Sequence, residues 1–394
     1  MIVQVGLIRL MSVLFRALTT LYIFSVMPSS LLVEFTSLFS IAIIISIIFV
    51  FGAQESLIFL ERNLFLQLVD KLRWYSNILA TIIFLITLFF YVSEIPLGIF
   101  LAIFSGVIIG FNLWFIGAIR VFNPLGVENL ISFMNITPWM GILVTVILDG
   151  EIKDIFFALI SITFFINIYL NGLLKKLKGS KNTSTKKFGT ISSLKVLSNS
   201  LPRVSWDLFY SSSTRAPLIL NASLLTPSIS LPLFYTLYEM FNSIFGFLVT
   251  TFLANKKQSY KSLVAFFFLT LLFISSSIIF FVKDPLSLKN LDFVSQTNLI
   301  HFFINNQELN LIVTFSLYFI LIQVILLVRS YIYKRFNSSF GTIAFFILFF
   351  GTTIAVYFFQ FFEDRFDVFF YILMILSVSI ISFSIYGTRR NINS

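Results

Sequence analysis

Residues 75–94 read YSNILATIIFLITLFFYVSE, and the run Ile82–Phe90 inside them is apolar except for Thr87. There is no alternation of apolar and polar positions, so this is not a half-buried strand. Its length matches one helical crossing of a ~30 Å hydrocarbon layer. Similar runs recur along the chain. Reading outward from this one gives about twelve helical spans, at roughly 7–27, 31–51, 75–94, 96–118, 129–149, 154–174, 203–226, 228–253, 262–282, 309–328, 339–360 and 366–386.

Composition points the same way. The chain has 394 residues, 58% hydrophobic and 11% charged, whereas soluble domains carry about 25% charged residues. A folded surface in water would have to expose the excess apolar area. In lipid, backbone groups must be satisfied internally, which leaves helices or closed barrels. Barrel strands would alternate over about ten residues, and these runs are continuous. The expected fold is therefore an all-α polytopic membrane protein.

Charge orients the spans. With the N-terminus cytoplasmic, 21 of the 27 lysines and arginines fall on inner segments. Four, Lys153, Lys283, Lys289 and Arg365, fall outside, and Arg16 and Arg215 lie within spans. This is the positive-inside bias, and it places both termini in the cytoplasm. It also accounts for the net charge of +10 without a nucleic-acid partner. The first basic residue is Arg9, with no small-residue cleavage signal before it, so the start of the chain reads as the first span.

The stretch at 175–189, KKLKGSKNTSTKKFG, divides the chain. Residues 175–200 form a basic cytoplasmic linker suited to anionic headgroups. Residues 1–174 form an N-terminal six-helix lobe and 201–394 a C-terminal one. Sliding the chain by 199 positions matches Arg16-Ala17 with Arg215-Ala216, Leu21 with Leu220 and Pro28-Ser29 with Pro227-Ser228. Leu32, Phe35 and Leu38 then match Leu231, Phe234 and Leu237. Both copies open a six-span half, so the halves share one orientation: a parallel repeat, as in many transporters, around a central cavity.

Much chemistry is excluded. There are no cysteines and one histidine, His301, in a predicted loop. Thiolate metal sites, zinc centres and Ser-His-Asp catalysis lack their raw material, and no glycine-rich phosphate loop follows a strand. No cofactor is expected. The informative residues are intramembrane charges. Arg16 and Arg215 fall about 16 Å from the outer ends of their spans, at 1.5 Å per residue. An arginine at that depth needs an aqueous cavity or a partner. Ser12, with Arg9 and Thr19 or Thr20, shares the stripe of Arg16; Asp207, Ser211 and Ser212 share that of Arg215. Two cationic stripes suit an anionic ligand, since guanidinium groups grip phosphate oxygens bidentately. The structural alternative pairs Arg215 with Asp207, or Arg16 with a carboxylate on another helix.

Glu239 is the clearest intramembrane carboxylate, with Tyr235, Asn242, Ser243 and Gly246 on its face. It suits either a salt bridge to a cavity arginine or coupling to an ion, H⁺ or Na⁺. Glu34 lies near the outer end of its span. Asn112, Asn135, Asn167 and Asn171 read as interhelical hydrogen-bonding groups. Pro138 and Gly141 mark a candidate kink. Asp149, Glu151 and Asp154 cluster at an outer turn, best read as a solvated loop with Asp154 as N-cap rather than a cation site. The 53 phenylalanines read as packing and lipid-facing bulk without a chemical role.

Two similar halves, a basic central linker and a mid-membrane arginine in the first span resemble the polysaccharide flippases of the multidrug/oligosaccharidyl-lipid/polysaccharide exporter superfamily. The segment Leu32–Glu55, LVEFTSLFSIAIIISIIFVFGAQE, is similar to that family's second span at Phe35, Ser37, Leu38 and Gly52. It departs where Glu34-Phe35 replaces the usual Tyr-Gly. The resemblance implies two lobes around a cavity that rocks between the faces of a bacterial inner membrane. Such a cavity takes the sugar-pyrophosphate head of a polyprenyl-linked oligosaccharide during assembly of O-antigen or capsule. It implies Arg16 and Arg215, with Ser12 and Ser211 beside them, as head-group contacts, and Asp207 and Glu239 as gating or coupling carboxylates. It also implies membrane lipids and other polysaccharide-assembly membrane proteins as neighbours. A cation-coupled drug exporter of the same fold is the rival transporter. A major facilitator would show a basic glycine-aspartate signature within Gly52–Trp74, which is absent. An O-acyltransferase would need an intramembrane histidine, and a polymerase a large outer loop.

Overall fold

The computed structural model describes residues 2–50, 62–93, 98–122 and 126–180, together with single positions at 208, 211, 215, 218, 219, 222, 232, 235 and 239. Most of the last six predicted spans, His301 and Gly52 lie outside the described residues. Within the described residues there are six long helices and no strand: α1 (Ile2–Val26), α2 (Ser29–Val50), α3 (Arg62–Val92), α4 (Ile99–Phe122), α5 (Gly126–Ile147) and α6 (Ile152–Ser180). Each overlaps one of the first six predicted spans. Five stretches, Ser29–Phe49, Arg73–Val92, Ile99–Arg120, Asn129–Ile147 and Ile152–Leu177, are long and apolar enough to cross a membrane. The apolar part of α1, Met11–Val26, is shorter.

Helix ends follow local chemistry. Pro28 closes α1, because a residue before proline is driven out of the helical region. Its own carbonyl then accepts from Leu32 N–H at 2.9 Å, starting α2. Between α5 and α6 the chain turns on Asp149, whose φ of 55° is left-handed. The Asp149 and Gly150 amides donate to the carbonyls of Val146 and Thr145 at 3.1 and 2.9 Å, the paired bonds of a Schellman motif. Two differences from the sequence-based boundaries follow from helix propensity. The helix α3 begins at Arg62, well before its apolar part, because RNLFLQLVDKLR is rich in helix formers. The helix α6 runs on through Lys175–Ser180, into the segment expected to be linker, where lysines suit the negative end of the helix dipole.

The described residues divide by contact into two compact units. One comprises those within Met1–Ser12 and Glu34–Ser223, with α6 packed against α3, α4 and α5. The backbones of α2 and α4 come close at small residues. A Cβ added to Gly106 would strike the Ala42 carbonyl oxygen, and one added to Gly110 would lie 2.8 Å from both the Ser46 carbonyl oxygen and Phe49 Cβ. This small-xxx-small contact is how helices associate when lipid supplies no hydrophobic drive between them. Aromatic side chains fill the rest: Phe84 stacks on Phe164 at 4.4 Å and Tyr91 on Phe157 at 4.2 Å, joining α3 to α6. The second unit comprises Val13–Val33 with positions 232, 235 and 239.

Candidate functional site

In the second unit an ion pair joins distant parts of the chain. Arg16 Nη2 donates to Glu239 Oε2 at 2.8 Å, with side-chain exposures of 26% and 24%. The Tyr235 hydroxyl donates to the other carboxylate oxygen, Oε1, at 2.9 Å. Tyr235 and Glu239 stand four apart in helical conformation, so both project from one face. Tyr235 is buried at 7% exposure. Each carboxylate oxygen therefore holds at least one donor, and the arginine has a partner of the kind that its position inside an apolar helix demands. Of the stripe on α1, Ser12, Thr19 and Thr20 are all buried. Thr20 turns its hydroxyl back onto the Arg16 carbonyl at 2.8 Å, which satisfies it within the helix.

In the first unit Arg215 is buried to 6% exposure, and Ser211, one turn before it, equally so. The Arg215 guanidinium carbon lies 6.0 Å above the Phe39 ring, a cation-π distance. Phe39 is itself held by Trp139, edge-on at 5.6 Å, and by Phe35 at 5.5 Å. Phe35 also meets Phe156 at 6.1 Å. An aromatic cluster from α2, α5 and α6 thus supports one arginine, and Phe39 has a role that the sequence reading denied to phenylalanine. Asp207 lies outside the described residues.

The two arginine contacts obey the 199-residue shift. Arg16 and Arg215 are equivalent by that shift, and so are Ser12 and Ser211. The position equivalent to Glu239 is Ser40, next to Phe39, which Arg215 overlies. Each arginine thus meets the equivalent region of the other repeat copy, a relation invisible to identity counting. Chemically the two sites differ. Ser40 is fully buried and donates to the Thr36 carbonyl at 2.6 Å. At the matching positions one copy has Glu239 and the other has Ser40 beside Phe39.

The other candidate residues sort into structural roles. Asn112 Nδ2 donates to the Thr163 carbonyl at 2.8 Å, and Asn167 Nδ2 to Asn112 Oδ1 at 2.9 Å. These buried amides join α4 to α6, as expected of interhelical hydrogen-bonding groups. Asn135 and Asn171 are half-buried, and Glu34 is exposed. The helix α5 continues through Pro138, and a Cβ on Gly141 would strike Ile162 Cδ1, so this glycine serves close packing on α6.

At the turn between α5 and α6 the N-cap assignment is corrected. Helix α6 starts at Ile152, so Asp154 is its third residue, and Asp154 Oδ2 accepts from the Glu151 N–H at 2.7 Å. That is the reciprocal arm of a capping box, with Glu151 in the cap position. Asp154 Oδ1 also accepts from the Tyr91 hydroxyl at 2.9 Å, and Glu151 pairs with Lys153 at 3.2 Å. Among the described residues, no group of three acidic, histidine or cysteine side chains converges as a metal site.

These features define a multi-pass helical membrane protein with charged residues held inside its apolar helices. No protein-family model matches the chain. No curated protein matches it either. Among solved structures, the crystal structure of a eukaryotic MATE transporter, AtDTX14, is similar over 97% of this chain and 93% of its own, at 13% identity and a TM-score of 0.42. A superposition of that quality does not by itself define a shared fold.

Proposed function

We propose that the protein moves an anionic lipid-linked substrate, a polyprenyl-pyrophosphate-linked oligosaccharide, across a bacterial inner membrane by alternating access. The observation that carries this reading is the Arg16–Glu239 ion pair with its Tyr235 hydrogen bond. A guanidinium in an apolar helix is costly, and a carboxylate that neutralises it can be exchanged for another anion. Phosphate oxygens match the guanidinium fork as well as a carboxylate does. In the proposed cycle the head group replaces Glu239 on Arg16, the released carboxylate takes up a coupling ion, and re-pairing expels the substrate. Arg215 is the second head-group cation. It lies over the Phe39 ring and is the more deeply buried of the two arginines.

One observation favours a second reading, a cation-coupled drug exporter. Glu239 with Tyr235 is equally an acceptor for a proton or a cationic drug. Arg16→Ala and Arg215→Ala, expressed in a strain dependent on this protein for glycan export, decide between them. Accumulation of lipid-linked oligosaccharide on the cytoplasmic side, with normal protein in the membrane, is expected of each. Normal glycan export in both variants sinks the flippase reading. Drug resistance conferred by the wild type and lost in Glu239→Gln would favour the exporter.

A further inference from the structure

Two tiers of stacked rings set the register of α3 against α6. Tyr91 lies on Phe157, and Phe84, seven residues earlier, lies on Phe164, seven residues later. Seven residues is close to two helical turns. The next tier of the same two stripes therefore brings Asn77 level with Asn171, and rings give way to amides. Small side chains leave room beside this tier. Ala80 of α3 and Ala118 of α4 are both fully buried, and Ala118 shares a cluster with Leu170 and Leu174 of α6.

Asn167, one turn before Asn171, is fully buried. Its Nδ2 donates to Asn112 Oδ1, and Asn112 Nδ2 donates in turn to the Thr163 carbonyl. A carbonyl only accepts, so the order of this chain fixes both amides. Asn167 Oδ1 is left as an acceptor. It is buried with no hydrogen-bond partner among the described residues, and so is Asn77 Oδ1. The neighbouring hydroxyls are committed within their own helices: Thr163 donates to the Leu159 carbonyl at 2.7 Å, Ser76 to Arg73 at 3.1 Å and Thr81 to Asn77 at 2.8 Å.

Two buried acceptors thus stand about one turn apart on facing helices, in a setting where lipid supplies no donor. A small molecule with two O–H donors satisfies both. A buried water makes about three hydrogen bonds, and two amide oxygens with the Asn171 amide at the same level make up that set. A cation suits the site less. Its oxygens are neutral, and no carboxylate occurs in residues 73–92, 99–122 or 155–180 to balance a charge taken out of water. We propose that a water molecule is bound between α3 and α6, donating to Asn167 Oδ1 and Asn77 Oδ1, and that it ties these helices where the ring stack ends.

The test is pulsed radiolytic labelling of the full-length protein in detergent micelles, begun milliseconds after dilution into oxygen-18 water and read by mass spectrometry. Radicals form where water is held and oxidise the side chains beside it. Phe164 and Leu170, three residues either side of Asn167 and both buried, should take up oxygen from the original isotope, while water-exposed residues take up oxygen-18. Asn167→Leu should abolish the label on Phe164 and Leu170. An absence of label there in the wild type overturns the proposal. So does uptake of oxygen-18 to the extent seen at exposed residues, or an unchanged label in Asn167→Leu. Should that variant fail to fold, Asn77→Leu replaces it, and the isotope carried by the wild type still decides. Melting temperatures in sodium and potassium chloride should agree. A rise specific to sodium, removed by Asn167→Leu, also overturns the proposal and makes this a cation site.

Discussion

Exchanging the charges of the Arg16–Glu239 pair separates an ion pair from two unrelated charges. At a charge separation near 4 Å and an effective dielectric of about 20, the attraction is about 4 kcal/mol. Desolvation offsets part of it. Both side chains are about a quarter exposed, so water softens the penalty as well as the attraction. A net coupling of about 1–3 kcal/mol remains, in the range of charge-assisted hydrogen bonds. Arg16→Ala and Glu239→Ala should each destabilise the protein by about 1.5–3 kcal/mol, since each leaves an uncompensated charge in an apolar setting. The double variant Arg16→Ala/Glu239→Ala should cost less than their sum by the coupling energy. Arg16→Glu/Glu239→Arg should recover part of what Arg16→Glu alone loses. Equilibrium unfolding in mixed detergent micelles measures all of these. Strict additivity of the single losses, with no recovery in the exchanged variant, would refute the pairing and remove the support for the proposed exchange cycle.

Four further outcomes test the helix packing and the turn between α5 and α6. Gly106→Ala should destabilise by about 1–3 kcal/mol through overpacking, because the added methyl meets the Ala42 backbone and Ile45 Cβ. Gly172→Ala, with nothing within 4 Å, should gain up to about 1 kcal/mol from helix propensity; the same unfolding curves report both, and equal effects would refute the close approach of α2 and α4. Asn112→Leu should cost about 0.6–1.7 kcal/mol by stripping partners from Asn167 and the Thr163 carbonyl, with little change on adding Asn167→Leu. Asp149→Gly should stabilise by about 1 kcal/mol or less, because a left-handed φ costs glycine nothing, read as a rise in melting temperature.

The helices of the first half were legible because a lipid-soluble helix needs only length and apolarity, and α1 to α6 each fall where hydropathy places a span. Their ends were less so. Pro28 announces itself, whereas the extensions of α3 and α6 rest on charged helix formers that hydropathy windows discard. The contact of α2 with α4 was present in the sequence as Gly106-x-x-x-Gly110 facing Ala42 and Ser46. It passed unnoticed because glycine spacing matters only once a partner helix is known. Asp154 was recognised as a helix-start residue but placed at the cap, three positions from its actual place relative to that cap, since a third-position acid and a cap look alike until the hydrogen bond is seen. Phe39 could not have been singled out among 53 phenylalanines by composition. The repeat could have pointed to its neighbourhood, since the position matching Glu239 is Ser40, next to Phe39.

That question also bears on mechanism. If both arginines were only structural, the economical solution would be the same in each copy: a carboxylate at position 239 and another at position 40. The chain instead keeps the arginine in both copies and the acid in one. Arg215 is the more deeply buried of the two, and the Phe39 ring that it overlies contributes ~0.5–2 kcal/mol. Unlike surroundings at matching arginines suit separate roles: in the proposed cycle the Arg16–Glu239 pair opens and re-forms, while Arg215 keeps its place over Phe39.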